Sequence, residues 1–235
     1  MSASSPSLIA IETSTELASV ALLHQAHTRS LESAGAQTHS MTVPRMITIL
    51  LKEAGLVPAQ CEAIAFGAGP GSFTGVRTAC GLAQGLSFGA GLPVVPVVTL
   101  LAMAERARAS CGDNDILVVL DARMGEVYWA QYRFDQGWQA LIEPGLSAAS
   151  QVTPQGMPVV CGNGLHAYAE SLSHLQSLRA IADISPHARD IAALAAIELA
   201  KGNAVPARDA QPIYLRNKVA LTTRERLGTG LGAAA

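Results

Sequence analysis

Residues 67–78 read GAGPGSFTGVRT, and the segments on either side of this run indicate the fold class. The preceding segment, residues 61–66, is short and apolar, as buried strands are. The following stretch, residues 73–88, lacks strand alternation and is predicted to be a helix. A strand, a glycine turn and a helix in this order are typical of an α/β protein.

The glycine run has two interpretations. Gly69 and Gly71 flank a proline and favour a tight turn, after which Ser72 is a typical helix N-cap. Alternatively, the amides of the helix start, from Ser72 to Gly75, bind an anion together with the Ser72 and Thr74 hydroxyls. The run is neither a Walker loop nor a dinucleotide fingerprint, because it lacks the lysine of the first and the third glycine of the second. The turn and cap are favoured, and the anion site stays open.

A second glycine pattern lies within the predicted helix. Gly81, Gly85 and Gly89 recur at a spacing of four, in line with Arg77. Each glycine inside a helix costs about 0.5–1 kcal/mol relative to alanine. We therefore expect a close neighbour along this stripe, which is either another helix, within the chain or across an interface, or the protein's own sheet.

The rest of the chain repeats one order of elements. The first series has strands at residues 7–11, 18–23, 28–32, 61–66 and 93–98, with helices that end at Gly55 and span 73–88 and 100–109; the second has strands at 116–120, 126–134, 138–143 and 158–161 and a helix at 191–201. This order predicts two related α/β lobes, residues 1–103 and residues 104–235, the second with a basic tail.

Composition limits the function classes. Charged residues make up 14% of the 235 residues, against roughly 25% in an average globular protein, so we expect a protein partner to cover apolar surface. A net charge of -2 with three lysines gives too weak a field for this chain to bind nucleic acid alone. The polar start MSASSPS is unlike a signal peptide, and we expect a soluble cytoplasmic protein without a membrane span.

Enzyme signatures are weak. Residues 85–89, GLSFG, match the nucleophile elbow of hydrolases, but Ser87 lies at the end of a predicted helix and not at a strand-to-helix turn. The four cysteines are too far apart for a zinc site or a disulfide framework, and the six histidines form no ligand pair. We expect no metal site, and a surface or capping role for His39.

The run DARMGE, residues 121–126, places three charges between two apolar strands. Asp121 and Arg123 either bind a ligand in the cleft between the lobes or brace the turn by pairing with each other, and the second role is favoured. Near the C-terminus, Ile213, Tyr214 and Leu215 form an apolar anchor beside Arg216 and Lys218. This tail is predicted to dock on the body or on a partner and to add charge to a surface for tRNA or nucleotide.

Six motifs together resemble one family. They are IAIETST, AFGAGPGSFTGVR, AQGL, LDARMGEVYWA, CGNG and QPIYLRNKVA, in this order. The set is similar to the TsaB family, formerly YeaZ, and covers the chain apart from its polar leader and its last dozen residues. GPGSFTG combined with DARMGE is more specific than either motif alone.

The resemblance implies an actin-like ATPase (ribonuclease H-like) fold of two related lobes, with mixed sheets, flanking helices and no catalysis of its own. Family members bind and activate TsaD, which transfers threonylcarbamoyl to the adenosine next to the tRNA anticodon, and the ATPase TsaE joins the assembly. Active relatives carry Asp-x-Gly-Thr, whereas residues 12–15 read ETST, so ordinary ATP binding is not expected. ATP or ADP is expected only at the interface of the complex.

The resemblance also implies sites. The helices at residues 39–54 and 72–88 form the face for TsaD, or for a second copy of the chain when TsaD is absent. The interface residues expected from it are His39, Met46, Leu50, Arg77, Gly81 and Gly85, and those expected in the cleft are Glu12, Thr13, Asp121, Arg123 and Glu126.

Three alternatives remain. The first is an autonomous small actin-like ATPase or kinase that uses Asp121 and residues 162–164. The second is a glycopeptidase-like hydrolase, and the third is an RNA-binding module that uses the basic tail. ATP turnover by the purified chain distinguishes the first of these from a partner subunit.

Overall fold

A computed structural model describes residues 6–35 and 39–216. The first half of the chain contains β1 (Leu8–Glu12), β2 (Leu17–His24), β3 (His27–Ala34), α1 (His39–Ala54), β4 (Ala63–Gly69), α2 (Phe73–Ala90), β5 (Val94–Val98) and α3 (Thr99–Cys111). The second half contains β6 (Asp115–Asp121), β7 (Glu126–Phe134), β8 (Trp138–Ala148), β9 (Val159–Cys161), α4 (Gly164–Ala167), β10 (Ala180–Ile181) and α5 (Ala188–Ala200).

The strands form two sheets of the same design. The first sheet has the order β3-β2-β1-β4-β5, and the second has the order β10-β9-β6-β7-β8. In each sheet a three-stranded antiparallel meander is followed by two parallel strands, as in β1, which pairs antiparallel with β2 and parallel with β4. The predicted fold class, two related lobes of mixed sheet with flanking helices, is confirmed.

Burial explains why these segments become strands. All five residues of β1 are buried, since the strand is central and covered on both faces. At the sheet edge, β3 alternates between exposed and half-buried positions. The sequence shows the continuous apolar run of β1, whereas β3 (HTRSLESA) is mostly polar, as suits an edge strand.

The core lies in four clusters. On the outer face of the first sheet, α1 and α2 bury side chains such as Met46, Leu50 and Ala83, while α5 covers its inner face with Ile191 and neighbours. Helix α3 packs on the inner face of the second sheet through Met103 and Ala107. The predicted boundary between residues 103 and 104 falls inside α3, and it stays a prediction.

Some element bounds differ from the predicted ones. The predicted strand at residues 61–66 is observed at Ala63–Gly69, so the first glycines of the run belong to β4. Strand β8 continues through Pro144 to Ala148, because an edge strand tolerates a residue without an amide proton. No sequence pattern predicted β10, which has two residues, or α4, which has four.

Candidate functional site

A cleft of about 780 Å³ lies between the two halves of the molecule. Its lining comes from the turn after β1, the start of α2, the β6–β7 turn and the C-terminal segment: Ser14–Leu17, Gly71–Phe73, Val76, Leu120–Met124, Tyr128, Asn163, Ser185 and Ile213–Arg216.

The turn after β1 is closed on itself by a buried carboxylate. Glu12 is fully buried, and its Oε1 accepts the Ser14 amide proton at 2.5 Å. Its Oε2 accepts a hydrogen bond from Thr99 Oγ1 at 3.3 Å. Burial raises the pKa of the Glu12 carboxyl group. Glu12 and Thr13 do not line the cleft, so their predicted place in its wall is wrong: both side chains turn into the protein.

The glycine run packs against this turn. A Cβ atom at Gly75 would collide with the Thr13 carbonyl oxygen, and one at Gly71 would lie 2.5 Å from Ser14 Cβ. The Ser72 amide donates to the Ser14 carbonyl at 2.7 Å, and Thr13 Oγ1 donates to the Gly75 carbonyl at 2.7 Å. Glycine is therefore needed here for a close approach of backbone to backbone.

The start of α2 follows the simpler of the two interpretations. Ser72 is the N-cap, and its Oγ accepts the Gly75 amide proton at 3.5 Å. The Ser14 and Ser72 amides, both at the cleft wall, are already bonded within the protein. The predicted turn and cap are confirmed, while the anion site at residues 69–75, Thr74 included, stays a prediction.

The β6–β7 turn braces itself and reaches across the cleft. Asp121 Oδ1 accepts the Arg123 amide proton and the Tyr168 hydroxyl proton, each at 2.7 Å. The Arg123 guanidinium group lies 3.2 Å from Asp121 Oδ2 and 3.1 Å from Glu16 Oε1, which belongs to the first half. Glu126 pairs with Arg216. The bracing role predicted for Asp121 and Arg123 is confirmed, and the sequence did not indicate Glu16 or Tyr168.

The motif CGNG has a structural role beside this turn. Gly162 has a φ of +109°, and a Cβ atom there would collide with the Val119 carbonyl oxygen. Asn163 Oδ1 accepts the Asp121 amide proton at 2.9 Å. These residues fix the end of β9 to the end of β6, just as the first glycine run fixes β4 and α2 to the end of β1.

Ser87 is not placed as a nucleophile. It lies inside α2, is 1% exposed, and its hydroxyl donates to the Leu92 carbonyl oxygen. The elbow needs a sharp turn that projects the hydroxyl outward, so a hydrolase that uses Ser87 is wrong.

The glycine stripe of α2 faces outward. Cβ atoms built at Gly81, Gly85 and Gly89 meet nothing within 4 Å, whereas Ala79 and Ala83 are buried against the sheet. The protein's own sheet is therefore not the neighbour of the stripe. Large exposed apolar side chains accompany it on α2 and α1: Phe88 is 87% exposed, Met41 64% and Ile49 46%. We call this surface the α1–α2 face.

Three predicted interface residues lie elsewhere. Met46 and Leu50 are buried in the core cluster beneath α1, since the apolar positions at helical spacing face the sheet. His39 is 4% exposed, and its Nε2 is 3.3 Å from the Glu16 carbonyl oxygen, so the predicted surface position is also wrong, while the capping role stays a prediction. Among the predicted residues, Arg77, Gly81 and Gly85 are at the surface.

Comparison with known proteins identifies the family. A family model described as "TsaD: tRNA N6-adenosine threonylcarbamoyltransferase" matches residues 32–210. The chain is 37% identical to the "tRNA threonylcarbamoyladenosine biosynthesis protein TsaB" of Haemophilus influenzae, over 90% of this chain and 94% of that protein. It is 36% identical to the Escherichia coli protein of the same name, over 91% of this chain and 96% of the other. The chain belongs to the TsaB family.

Solved structures agree with this assignment to the TsaB family. "YeaZ from Pseudomonas aeruginosa" is 35% identical, has a TM-score of 0.81, and covers 89% of this chain and 100% of its own. A second structure, of "an uncharacterized protein with similarity to peptidase YEAZ" from the same organism, has a TM-score of 0.82 at 35% identity, with 90% and 100% covered. The match to the TsaD model spans both halves, so this TsaB-family chain and TsaD share the actin-like fold.

The remaining side chains of this TsaB-family member add few reactive groups. Within residues 6–35 and 39–216, no three His, Cys, Asp or Glu side chains cluster as metal ligands. The four cysteines are unpaired. None of the helices in the described part of the chain is both long enough and apolar enough to cross a bilayer.

The C-terminal segment was predicted to dock either on the body or on a partner, and in the structure it docks on the body. Tyr214 contacts α2, where the Arg77 Nε donates to its hydroxyl at 2.8 Å. The Arg216 side chain is 15% exposed and paired with Glu126, so its charge is neutralised within the protein. The contribution of Arg216 and Lys218 to a tRNA or nucleotide surface stays a prediction, and Lys218 lies outside the described residues.

Proposed function

We propose that this chain is a partner subunit that binds TsaD and activates threonylcarbamoyl transfer to the adenosine next to the tRNA anticodon. In this proposal the chain performs no catalysis alone. The single observation that carries the proposal is the open α1–α2 face, in a chain of the TsaB family.

The glycine stripe supports a partner at this face. Each of its three glycines costs about 0.5–1 kcal/mol relative to alanine in an exposed helix, and no contact within the described chain offsets that cost. A smooth stripe lets a second helix approach closely. The exposed Phe88, Met41 and Ile49 add apolar area of the kind that interfaces bury. TsaD is proposed as the occupant, and a second copy of the chain when TsaD is absent.

The geometry of the cleft supports the absence of independent catalysis. The backbone amides of Ser14 and Ser72, which would face a phosphate in an actin-like ATPase, are bonded to Glu12 and to the Ser14 carbonyl. Asp121 is engaged by Arg123 and Tyr168. Catalysis by preorganised donors requires groups that are free to meet developing charge, and these groups are occupied.

The other partners follow from the same proposal. TsaE and tRNA meet this chain through the complex, in the cytoplasm. ATP or ADP binds at the interface of the assembled subunits. The basic residues after residue 216, Lys218 among them, add charge to the surface that tRNA meets.

Reconstitution with TsaD from the same organism tests the proposal. We expect the purified chain to bind TsaD and to raise the yield of threonylcarbamoyladenosine on tRNA, while the chain alone forms none. Its ATP turnover alone should stay well below about one per second, the low end of typical enzymes. Turnover above that value would support an autonomous ATPase, and failure to bind TsaD would remove the partner role.

A further inference from the structure

The C-terminal segment crosses the cleft between the two sheets. Residues 211–216, which we call the strap, follow the short 3₁₀ turn Ala207–Asp209. Ile213 and Leu215 line both the cleft and a second, apolar cavity of about 430 Å³ beside α3, β7 and β8. The strap is therefore the wall between the two cavities, and moving it would join them.

One end of the strap is fixed to the first half. The Ile213 amide donates to the Ala68 carbonyl at the end of β4, at 2.7 Å, and the Ile213 side chain packs on the core beneath α1 and α2. Just before the strap, the Ala210 carbonyl accepts hydrogen bonds from Gln84 Nε2 at 3.0 Å and from Cys80 Sγ at 3.5 Å.

The other end is fixed to the second half. Leu215 packs on the core cluster between α3 and the second sheet. The Arg216 guanidinium group pairs with Glu126 on β7 and donates to the Arg123 carbonyl at 3.4 Å. Ile213 and Leu215 are two positions apart and pack on different cores, so this short segment is attached to both halves.

Between these anchors, Tyr214 faces outward onto α2. Its hydroxyl accepts the Arg77 Nε proton at 2.8 Å, and its ring centroid lies 5.5 Å from that of Phe73. The Arg77 guanidinium carbon lies 3.7 Å from the Phe73 ring centroid. Arg77 is in line with Gly81 and Gly85, so the strap contacts α2 one turn before the glycine stripe of the α1–α2 face.

We propose that the strap is a latch that holds the two halves at one separation across the cleft, and that Tyr214 links the state of the latch to the α1–α2 face. Opening the latch breaks a few contacts at either end and no sheet, so it is a local event of low cost compared with global unfolding. A ligand that binds in the cleft therefore affects the α1–α2 face, and a partner that binds Arg77 affects the cleft. This inference rests on contacts within the described chain, and it does not depend on TsaD.

Hydrogen exchange of the full-length chain tests the latch. Because the anchors open together, Arg216→Gln in the second half should speed exchange of the Ile213 amide, which is bonded in the first half, by about tenfold, the factor expected when a charge-assisted hydrogen bond is lost. Arg77→Ala should speed the same amide by a similar factor. Arg133→Gln is the matched control, since it removes an Arg–Asp pair with Asp115 on the second sheet, at the other end of β7 from Glu126.

A distance measurement completes the test. Spin labels at Lys52→Cys on α1 and Gln139→Cys on β8, in a Cys111→Ser background whose remaining cysteines are buried, report the separation of the halves. The Arg216→Gln variant should broaden the distribution, and Arg133→Gln should not. Unchanged Ile213 exchange together with an unchanged distribution in Arg216→Gln would overturn the latch.

A milder variant distinguishes opening of the latch from destabilisation of the whole protein. If Arg216→Gln also speeds exchange throughout β1, Tyr214→Phe decides, because it removes only the hydroxyl that binds Arg77. The latch predicts that Ile213 exchange rises about threefold in Tyr214→Phe while β1 exchange is unchanged, as expected for one lost hydrogen bond. No rise at Ile213 in that variant would refute the link to α2.

Discussion

The two halves of the molecule share a sheet and differ in what covers it. In the first half the strands β3, β4 and β5 are joined by α1, of 16 residues, and α2, of 18 residues, which cover the outer face. In the second half the corresponding connections hold 3₁₀ turns and α4, of four residues. The outer face of the second sheet is covered by single side chains such as Leu172 and Leu175. Long helices therefore cover the outer face of the first sheet alone, among the described residues.

The helices that cover the two sheets differ, but the turns next to the cleft are alike in both halves. The first glycine run packs on Thr13 and Ser14, and the second packs on Val119, in each case where a Cβ atom has no space. The same residue type serves two purposes in one chain. Buried turn glycines hold the architecture of both halves, whereas the exposed stripe on α2 has no structural role within the described chain.

The largest effect on stability is expected in the second turn. Gly162→Ala adds a Cβ atom that collides with the Val119 carbonyl at a φ of +109°. Overpacking and left-handed backbone strain together should lower the free energy of unfolding by about 2–5 kcal/mol. Urea unfolding measures it. A loss below about 0.5 kcal/mol, the range of ordinary surface substitutions, would show that the turn is not closely packed.

The equivalent turn of the first half should behave in the same way. Gly75→Ala adds a Cβ atom against the Thr13 carbonyl, without a positive φ, and should cost about 1–3 kcal/mol of unfolding free energy. The same urea measurement applies, with Gly81→Ala as the matched control on the same helix. Equal effects of the two substitutions would contradict the distinction between turn glycines and stripe glycines.

The contact between α3 and α5, the inner helices of the two halves, should depend on pH. Asp190 Oδ2 is buried without a hydrogen-bond partner, and burial raises the pKa of this carboxyl group from 3.8 to about 6, against the attraction of Arg106 at 3.8 Å. The native state binds this proton more tightly than the unfolded state, so stability falls as the pH rises from about 4 to about 6.

Asp190→Asn should therefore stabilise the protein by about 1 kcal/mol above pH 6. The pKa shift sets an upper limit of ~3 kcal/mol, which the loss of the Arg106 pair and of a negative charge in the first turn of α5 reduces. The gain should shrink as the pH falls below 6 and vanish near pH 3, where the carboxyl group is mostly protonated in both states. Thermal unfolding above pH 6 and near pH 3 measures it, and a gain that persists at the lower pH would contradict the assignment.

The smallest effect on the free chain is expected at the stripe, with the opposite sign. Gly81→Ala should raise the free energy of unfolding by about 0.5–1 kcal/mol, because the added methyl group meets open space and alanine favours the helix. Calorimetry on the isolated chain measures this gain. Destabilisation would mean that the stripe already has a neighbour in the free protein.

The sequence predicted most strands and helices, because β1, β6 and α1 show clear apolar runs or helical spacing. The sequence could not show which face of α2 is buried. Gly81 and Ala79 lie on neighbouring rows of small residues with the same helical spacing, so the spacing does not say which row contacts the sheet. His39 and Glu12 were misplaced for a related reason: their burial depends in part on partners distant in sequence, here Glu16 and Thr99. The strap contact between Arg77 and Tyr214 spans 137 residues and leaves no local pattern.

A leucine placed on each of two exposed helix surfaces tests whether the α1–α2 face binds TsaD. Gly85→Leu lies on the α1–α2 face, and Ala193→Leu lies on the exposed side of α5, which belongs to the second half. Both variants should melt within a few degrees of the parent, since surface substitutions change stability by about 0.5 kcal/mol or less. Gly85→Leu alone should raise the dissociation constant for TsaD, by about tenfold or more, because overpacking an interface costs about 1–3 kcal/mol. Equal affinity of the two folded variants for TsaD would contradict the α1–α2 face as the partner surface.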